Sequence, residues 1–327
     1  MDDLFRPNYN KLPAVQKHHV LKAIADDHPG FSLRGIEKFE RFGRFTETGV
    51  YDFDDSEFVF VPGDIVRLGW QEFAQGMDTA TREDLLETLG EYGVNDLDAF
   101  LRGAMSPVRT VEIGPMLVER KLQEIGWRRA YMGEPEIWNN AGIRGAMEKF
   151  KKSDTQCYIV HERFRLRRTG DGEIELHVYE PVSYDNFKTG VEKGGFALPT
   201  ENEWEYLCGG GSRTLWRWGD SFGYDMKLKH FAAETPPERP YDLQLPNEFG
   251  LEIAYDPYKQ EVIDGEPYFK GGDGGCYICG GGGMVLGYLP VATYFRDLSM
   301  EDDPLGYMDD VGGDYTFYRR VIRLDAR

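Results

Sequence analysis

The sequence predicts an α+β fold: one large, loop-rich domain over residues 51–327, preceded by a helical extension over residues 1–50. Three observations predict it. Tracts such as Phe58-Val-Phe-Val-Pro-Gly-Asp-Ile-Val-Arg-Leu-Gly-Trp70 read as short strands broken by a Pro-Gly turn. Stretches with strong helix-start chemistry lie between such tracts, above all Leu198-Pro-Thr-Glu-Asn-Glu-Trp-Glu-Tyr206. Beyond Asp220 turn residues are dense, periodic segments are short and no internal repeat appears, which fits one irregular domain better than a string of modules.

Taken in order, residues 13–27 read as a helix with Val15, Val20, Leu21 and Ile24 on one face. His18 and His19 point about 100° apart on it, so with His28 they suit solvent or capping better than one metal ion. A second short helix is expected over residues 33–42. Two helices are expected between residues 81 and 103, the first capped by Thr81 and the second by Asn95 or Asp96. Residues 107–120 alternate as a strand, and residues 156–182 hold two strands around Thr169-Gly-Asp-Gly172. His161-Glu-Arg-Phe-Arg-Leu-Arg-Arg168 alternates charge with apolar residues, as one solvated strand face does. Thr200 and Glu203 are spaced as a capping box, with Trp204 turned inward.

The totals restrict function. A net charge of −19 argues against nucleic acid or an anionic membrane surface as partner. No apolar run is long enough to span a bilayer, and the first residues carry no signal-peptide pattern, so the cytoplasm is expected. There Cys157, Cys208, Cys276 and Cys279 would be reduced thiols unless a metal or catalysis claims them. Cys157 and Cys208 read as buried apolar thiols.

The stretch with most chemical character is Lys270-Gly-Gly-Asp-Gly-Gly-Cys-Tyr-Ile-Cys-Gly-Gly-Gly-Gly283. So many glycines exclude a long helix or strand and imply a backbone that lies close to something or adopts positive φ. Cys276 and Cys279 can place two sulfurs on one soft ion such as Cu(I), can cycle as dithiol and disulfide, or can be small residues in a tight loop. Structural zinc would need further ligands that this stretch lacks. Asp273 is a general base beside a thiol or an acceptor for the glycine backbone, with the backbone role favoured. Tyr277, Tyr288, Tyr294 and Phe295 line a cleft or build core. Arg296 lowers a thiolate pKa, or pairs with Asp297 or Asp302. Asp256, Glu261, Asp302, Asp303, Asp309 and Asp310 offer oxygens for Ca²⁺, though in no spacing that specifies a site, and most are expected in solvent.

Ordered motifs from about residue 57 onward resemble the formylglycine-generating enzyme (sulfatase-modifying factor) superfamily, whose fold is a loop-rich variant of the C-type lectin fold. Residues 58–69 resemble its opening strand pair, and residues 107–120 its second strand block. Pro181-Val-Ser-Tyr-Asp185 is similar to V-S-W-x-D-A, and residues 198–206 with Trp218-Gly-Asp220 match L-P-T-E-x-E-W-E and W-G-D. Pro246-Asn-Glu-Phe-Gly-Leu251 matches P-N-x-x-G-L, and Lys270-Gly-Gly-Asp273 falls where R-G-G-S is expected. In catalytic members two cysteines after that motif bind Cu(I), and O₂ oxidises a substrate cysteine to formylglycine. Cys276 occupies the first position; the second falls on Gly281, and Cys279 lies nearer. Asp273 replaces the serine, and residues 256–261 replace a G-N-V-W-E-W tract whose Asn helps hold Ca²⁺. The resemblance therefore implies an oxidase acting on a cysteine-containing peptide or small thiol, with Cys276, Cys279 and Asp273 at the centre and Tyr277, Tyr288 and Arg296 near substrate. It equally implies a non-catalytic C-type-lectin-like protein that presents the 270–283 loop to a protein or glycan.

Overall fold

The computed structural model describes residues 2–231, 239–297 and 308–324. It is an α+β architecture of several antiparallel sheets joined by short helices. Two compact units divide the chain: Met1–Gln123 with Lys188–Asp302 and Phe317–Arg327, and Glu124–Phe187 with Asp303–Thr316.

The first unit is built on a five-stranded sheet. Its strands run in the order Ser32–Arg41, Arg44–Phe53, Ser56–Val61, Met116–Glu119 and Val321–Arg323. The helix expected at residues 33–42 is thus a strand. Leu33, Ile36 and Phe39 recur at helical spacing, but a bulge between Leu33 and Gly35 resets the alternation. Leu33 and Ile36 consequently pack with Leu21, Phe58 and Phe60 on one side, while Phe39 packs with the larger core on the other. A two-residue turn at Phe42 and Gly43, both at positive φ, closes this hairpin and fixes its register. Helical structure at the amino terminus therefore ends at Asp27. In the helix Ala14–Asp27, Leu21 and Ile24 are buried as expected, but Val15 is 82% exposed. His18 and His19 face solvent, and His28 Nδ1 sits 2.8 Å from the Ile24 carbonyl.

Other boundaries shift for local reasons. Residues 58–68 form two strands as expected, yet Asp64–Leu68 pairs with Arg109–Ile113 and not with its neighbour. Gly114-Pro115 divides the strand expected at 107–120 into Arg109–Ile113 and Met116–Glu119. The helix Thr79–Glu91 is capped by Asp78, which accepts from Thr81 N at 2.7 Å, so Thr81 lies inside the helix and its hydroxyl instead accepts from Phe222 N. Asp96 caps the helix Leu97–Gly103. The capping box of Thr200 and Glu203 closes as expected on the helix Glu201–Gly209, and Trp204 is fully buried. Asp220 is also buried and accepts from Leu215 N at 2.8 Å and Gln75 N at 2.6 Å. Asn247 closes the turn that follows, donating to the Leu207 carbonyl and accepting from Phe249 N and Leu251 N.

The second unit holds a four-stranded sheet in the order Trp127–Ala130, Ile174–Tyr179, Phe164–Arg168, Cys157–Val160. Residues 156–182 thus give three strands where two are expected. The helix Ala141–Lys151 packs Ile143, Met147 and Phe150 with Phe164, Leu166 and Val178. Cys157 is exposed, not buried, because it begins the edge strand. No helix among the described residues is long and apolar enough to cross a membrane.

Candidate functional site

The glycine-rich stretch is anchored at its base by charge. Strand Phe269–Lys270 pairs with Gln260–Val262 and leads into the loop. Lys270 is buried, and its Nζ donates to Glu205 Oε1 at 3.0 Å and to the Phe295 carbonyl at 2.7 Å. Its Nζ also lies 3.5 Å from Glu201 and 5.5 Å from the centre of the Trp204 ring. A buried ammonium needs such partners, so the side chain is committed to one place.

Beyond Lys270 the backbone presses against residues 257–259. A Cβ on Gly272 would come within 2.6 Å of the Lys259 carbonyl oxygen and 2.7 Å of that of Pro257, and Asp273 N donates to the latter at 2.9 Å. Gly275 has φ of +82°, and a Cβ there would run into the Tyr258 ring. These two glycines meet the close approach and positive φ that the sequence implies. Asp273 is buried between them, accepting from Gly275 N at 2.7 Å and Tyr277 N at 3.0 Å. Burial, with a smaller push from Asp297, raises its pKa to about 6 against the pull of those N–H donors. The favoured backbone role is the one observed.

Cys276 and Cys279 open and close a single helical turn. At this i, i+3 spacing their side chains share one side of the turn. Both are free thiols exposed to solvent. Partial burial of the sulfur, with the negative charges of Asp273, Asp297 and Cys279, pushes the Cys276 pKa up. A dithiol redox centre needs the opposite shift. A metal ion held by both sulfurs would likewise have to displace their protons against this shift. Among the described residues no group of three or more His, Cys, Asp or Glu side chains assembles to hold a metal.

Tyr258, His230, Lys229 and Tyr92, which the sequence does not single out, adjoin the loop together with Asp256. The Tyr258 hydroxyl lies 3.1 Å from Cys279 Sγ, and its ring packs on His230 with centroids 4.4 Å apart. His230 Nε2 is 2.7 Å from Asp256 Oδ1, Lys229 Nζ is 2.8 Å from Asp256 Oδ2, and Tyr258 N donates to Asp256 Oδ1. Burial opposes the charge on Asp256, but Lys229 and His230 outweigh it and hold its pKa below the ordinary value. From the helix Thr79–Glu91 side, the Tyr92 hydroxyl donates to the Gly280 carbonyl at 2.7 Å. No family model matches the chain, and no curated protein matches it.

The remaining predicted positions divide. Tyr277 is half-buried beside the thiols, edge-on to Phe295. Tyr288, Tyr294 and Phe295 are core residues, and Tyr288 lies among Phe222 and Phe231. Arg296 grips both oxygens of Glu201 at 2.8 and 2.7 Å. Asp256 and Glu261 are buried and ion-paired, Glu261 with Arg319 at 2.7 Å, where solvent is expected. Asp310 accepts from the Tyr179 hydroxyl and from Val182 N and Gly312 N, while Asp309 is exposed. Asp302 and Asp303 lie outside the described residues.

Proposed function

We propose that Cys276 and Cys279 together bind Cu(I), and that the chain is a divergent relative of the formylglycine-generating enzymes acting on the thiol of a cysteine-containing peptide or small molecule. The observation that carries this reading is the pair of exposed, free thiols on one helical turn. Bound Cu(I) supplies the one-electron chemistry through which O₂ oxidises such a thiol. The chain's own residues have simpler work. Cys276 and Cys279 release their protons to become ligands. Asp273 ties down the backbone that presents them, and Tyr258 holds a hydroxyl against Cys279. The built-in capping box, the buried Asp220 and the Asn247 turn support a loop-rich, C-type-lectin-like scaffold for this loop. Free thiols of this kind suit a reducing compartment, the cytoplasm.

A second reading, a non-catalytic C-type-lectin-like protein that shows residues 270–283 to a protein or glycan, is favoured by one observation. Tyr288, Tyr294 and Phe295 are core, so of the four aromatics near the loop in sequence only Tyr277 stands beside the thiols. Anaerobic Cu(I) titration against a competing chelator separates the two. The oxidase reading expects one tightly held Cu(I) per chain, lost in both Cys276→Ala and Cys279→Ser. Weak uptake by the wild type, or uptake unchanged in either variant, defeats it.

A further inference from the structure

The second unit contains a surface that the thiol site does not use. Helix Ala141–Lys151 and the edge strand Cys157–Val160 enclose a groove of about 600 Å³, with Gly145 and Ala146 on the helix side and Tyr158, Val160 and Phe164 on the strand side. The strand is the last of its sheet. Arg168 N donates to the Gln156 carbonyl, and Tyr158 opposes Leu166 in the same register. In an antiparallel ladder that register turns the N–H and C=O groups of Cys157 and Ile159 toward the open edge. Tyr158 and Ile159, 45% and 51% exposed, flank that edge on opposite faces. A bare edge with apolar side chains is a template for another strand.

Gly145 points the same way. A glycine inside a helix weakens it. A Cβ there would meet nothing within 4 Å, so nothing within the chain requires the glycine. What the missing Cβ provides is room above the groove floor for a group from outside.

The charge identifies that group. The chain carries −19, yet residues 141–168 hold eight Lys and Arg against three acidic residues. Lys149 and Lys152 stand on the helix side, Arg163 and Arg167 on the hairpin, and none of the four makes an ion pair among the described residues. We propose that this groove binds an extended, acidic segment of a partner protein, which adds as a strand to the edge at Cys157–Val160 and lays an apolar side chain over Gly145. Backbone pairing gives the affinity, the groove selects the apolar position, and the four cations select against basic segments.

The probe is a short, capped, fluorescent peptide alternating glutamate with valine, followed by anisotropy on the full chain. The expected result is saturable binding that weakens as salt rises, with no binding by the same peptide carrying lysine for glutamate. Gly145→Leu should weaken binding by about tenfold or more by filling the groove, while leaving the thermal midpoint unchanged or higher because leucine favours a helix. Ile159→Pro should weaken it as well, by removing an outward N–H, and K149E/R167E should shift preference toward the lysine peptide. The proposal fails if the glutamate peptide does not bind, if binding is indifferent to salt, or if Gly145→Leu binds like wild type. It also fails if sedimentation shows a wild-type dimer that Gly145→Leu dissociates, since the occupant would then be a second copy of the chain.

Discussion

Lys270→Met tests whether charge burial anchors the thiol loop. The ammonium is 1% exposed, donates to Glu205 Oε1 at 3.0 Å and to the Phe295 carbonyl at 2.7 Å, and stands over the Trp204 ring. Removing one member of a buried pair leaves the other charge unsolvated, at a cost of about 3–5 kcal/mol. Compensation exists here, because Arg109 lies 3.0 Å from Glu205 and Arg296 holds Glu201 with two bonds. Those cations place the expected loss at the low end, about 3 kcal/mol. Urea denaturation of wild type, Lys270→Met, Glu205→Gln and the double variant measures it. The double variant should be less unstable than the sum of the singles, with a coupling of about 1–3 kcal/mol for groups in direct contact. A single-variant loss below about 1 kcal/mol, typical of a solvated surface pair, together with additive singles, would refute the anchoring argument.

Two adjacent glycines should respond differently to alanine. Gly274→Ala meets no neighbour and should cost only the left-handed backbone, about 1–2 kcal/mol, whereas Gly275→Ala must also displace the Tyr258 ring and should cost about 1–3 kcal/mol more by urea midpoint. Asp273, at about 6 in the folded chain, stays protonated where the unfolded chain has ionised, so its contribution to stability falls as pH rises from about 4 to about 6. Subtracting the pH profile of Asp273→Asn from that of wild type should expose this fall, and parallel profiles would count against it. Native-state alkylation read by mass spectrometry should modify Cys157, Cys276 and Cys279 and spare buried Cys208 until denaturant is added. Cu(I) should then protect Cys276 and Cys279 but not Cys157.

The elements legible in the sequence are those whose signal is local. Thr200 and Glu203 announce a helix start because both halves of the capping box lie within four residues, and the structure closes it. Residues 33–42 misled because bulge and helix both place apolar residues three apart, and only pairing with Arg44–Phe53 decides between them. Thr81 was a plausible cap by composition, but Asp78 lies one turn earlier and its carboxylate reaches Thr81 N. Cys157 looked internal because its tract is apolar, whereas exposure depends on which strand is last in the sheet, a property of the whole unit. Arg296 has acids close by in the chain, but its grip on Glu201, ninety-five positions away, carries no local signal.

The thiol site shows the same division. Glycines at 272 and 275 imply a close approach, and the approach is real, but the sequence does not say what is approached. The answer is residues 257–259, which seat the loop and lie between Asp256 and Glu261, two of the residues that offer oxygens for Ca²⁺. Once Tyr258 lies under Gly275, its hydroxyl reaches Cys279 and its ring covers His230, which in turn meets Asp256. Cys279, Tyr258 with Asp256, and His230 come from three separate segments, so no spacing rule could have joined them. If the seating of residues 257–259 is what sets the two sulfurs, Gly272→Ala should impair Cu(I) uptake although it leaves both thiols in place. Its Cβ would collide with fixed carbonyls and not with a movable side chain, so the backbone itself must shift. Undiminished uptake in a folded Gly272→Ala chain would show that the sulfurs are positioned by their own helical turn alone.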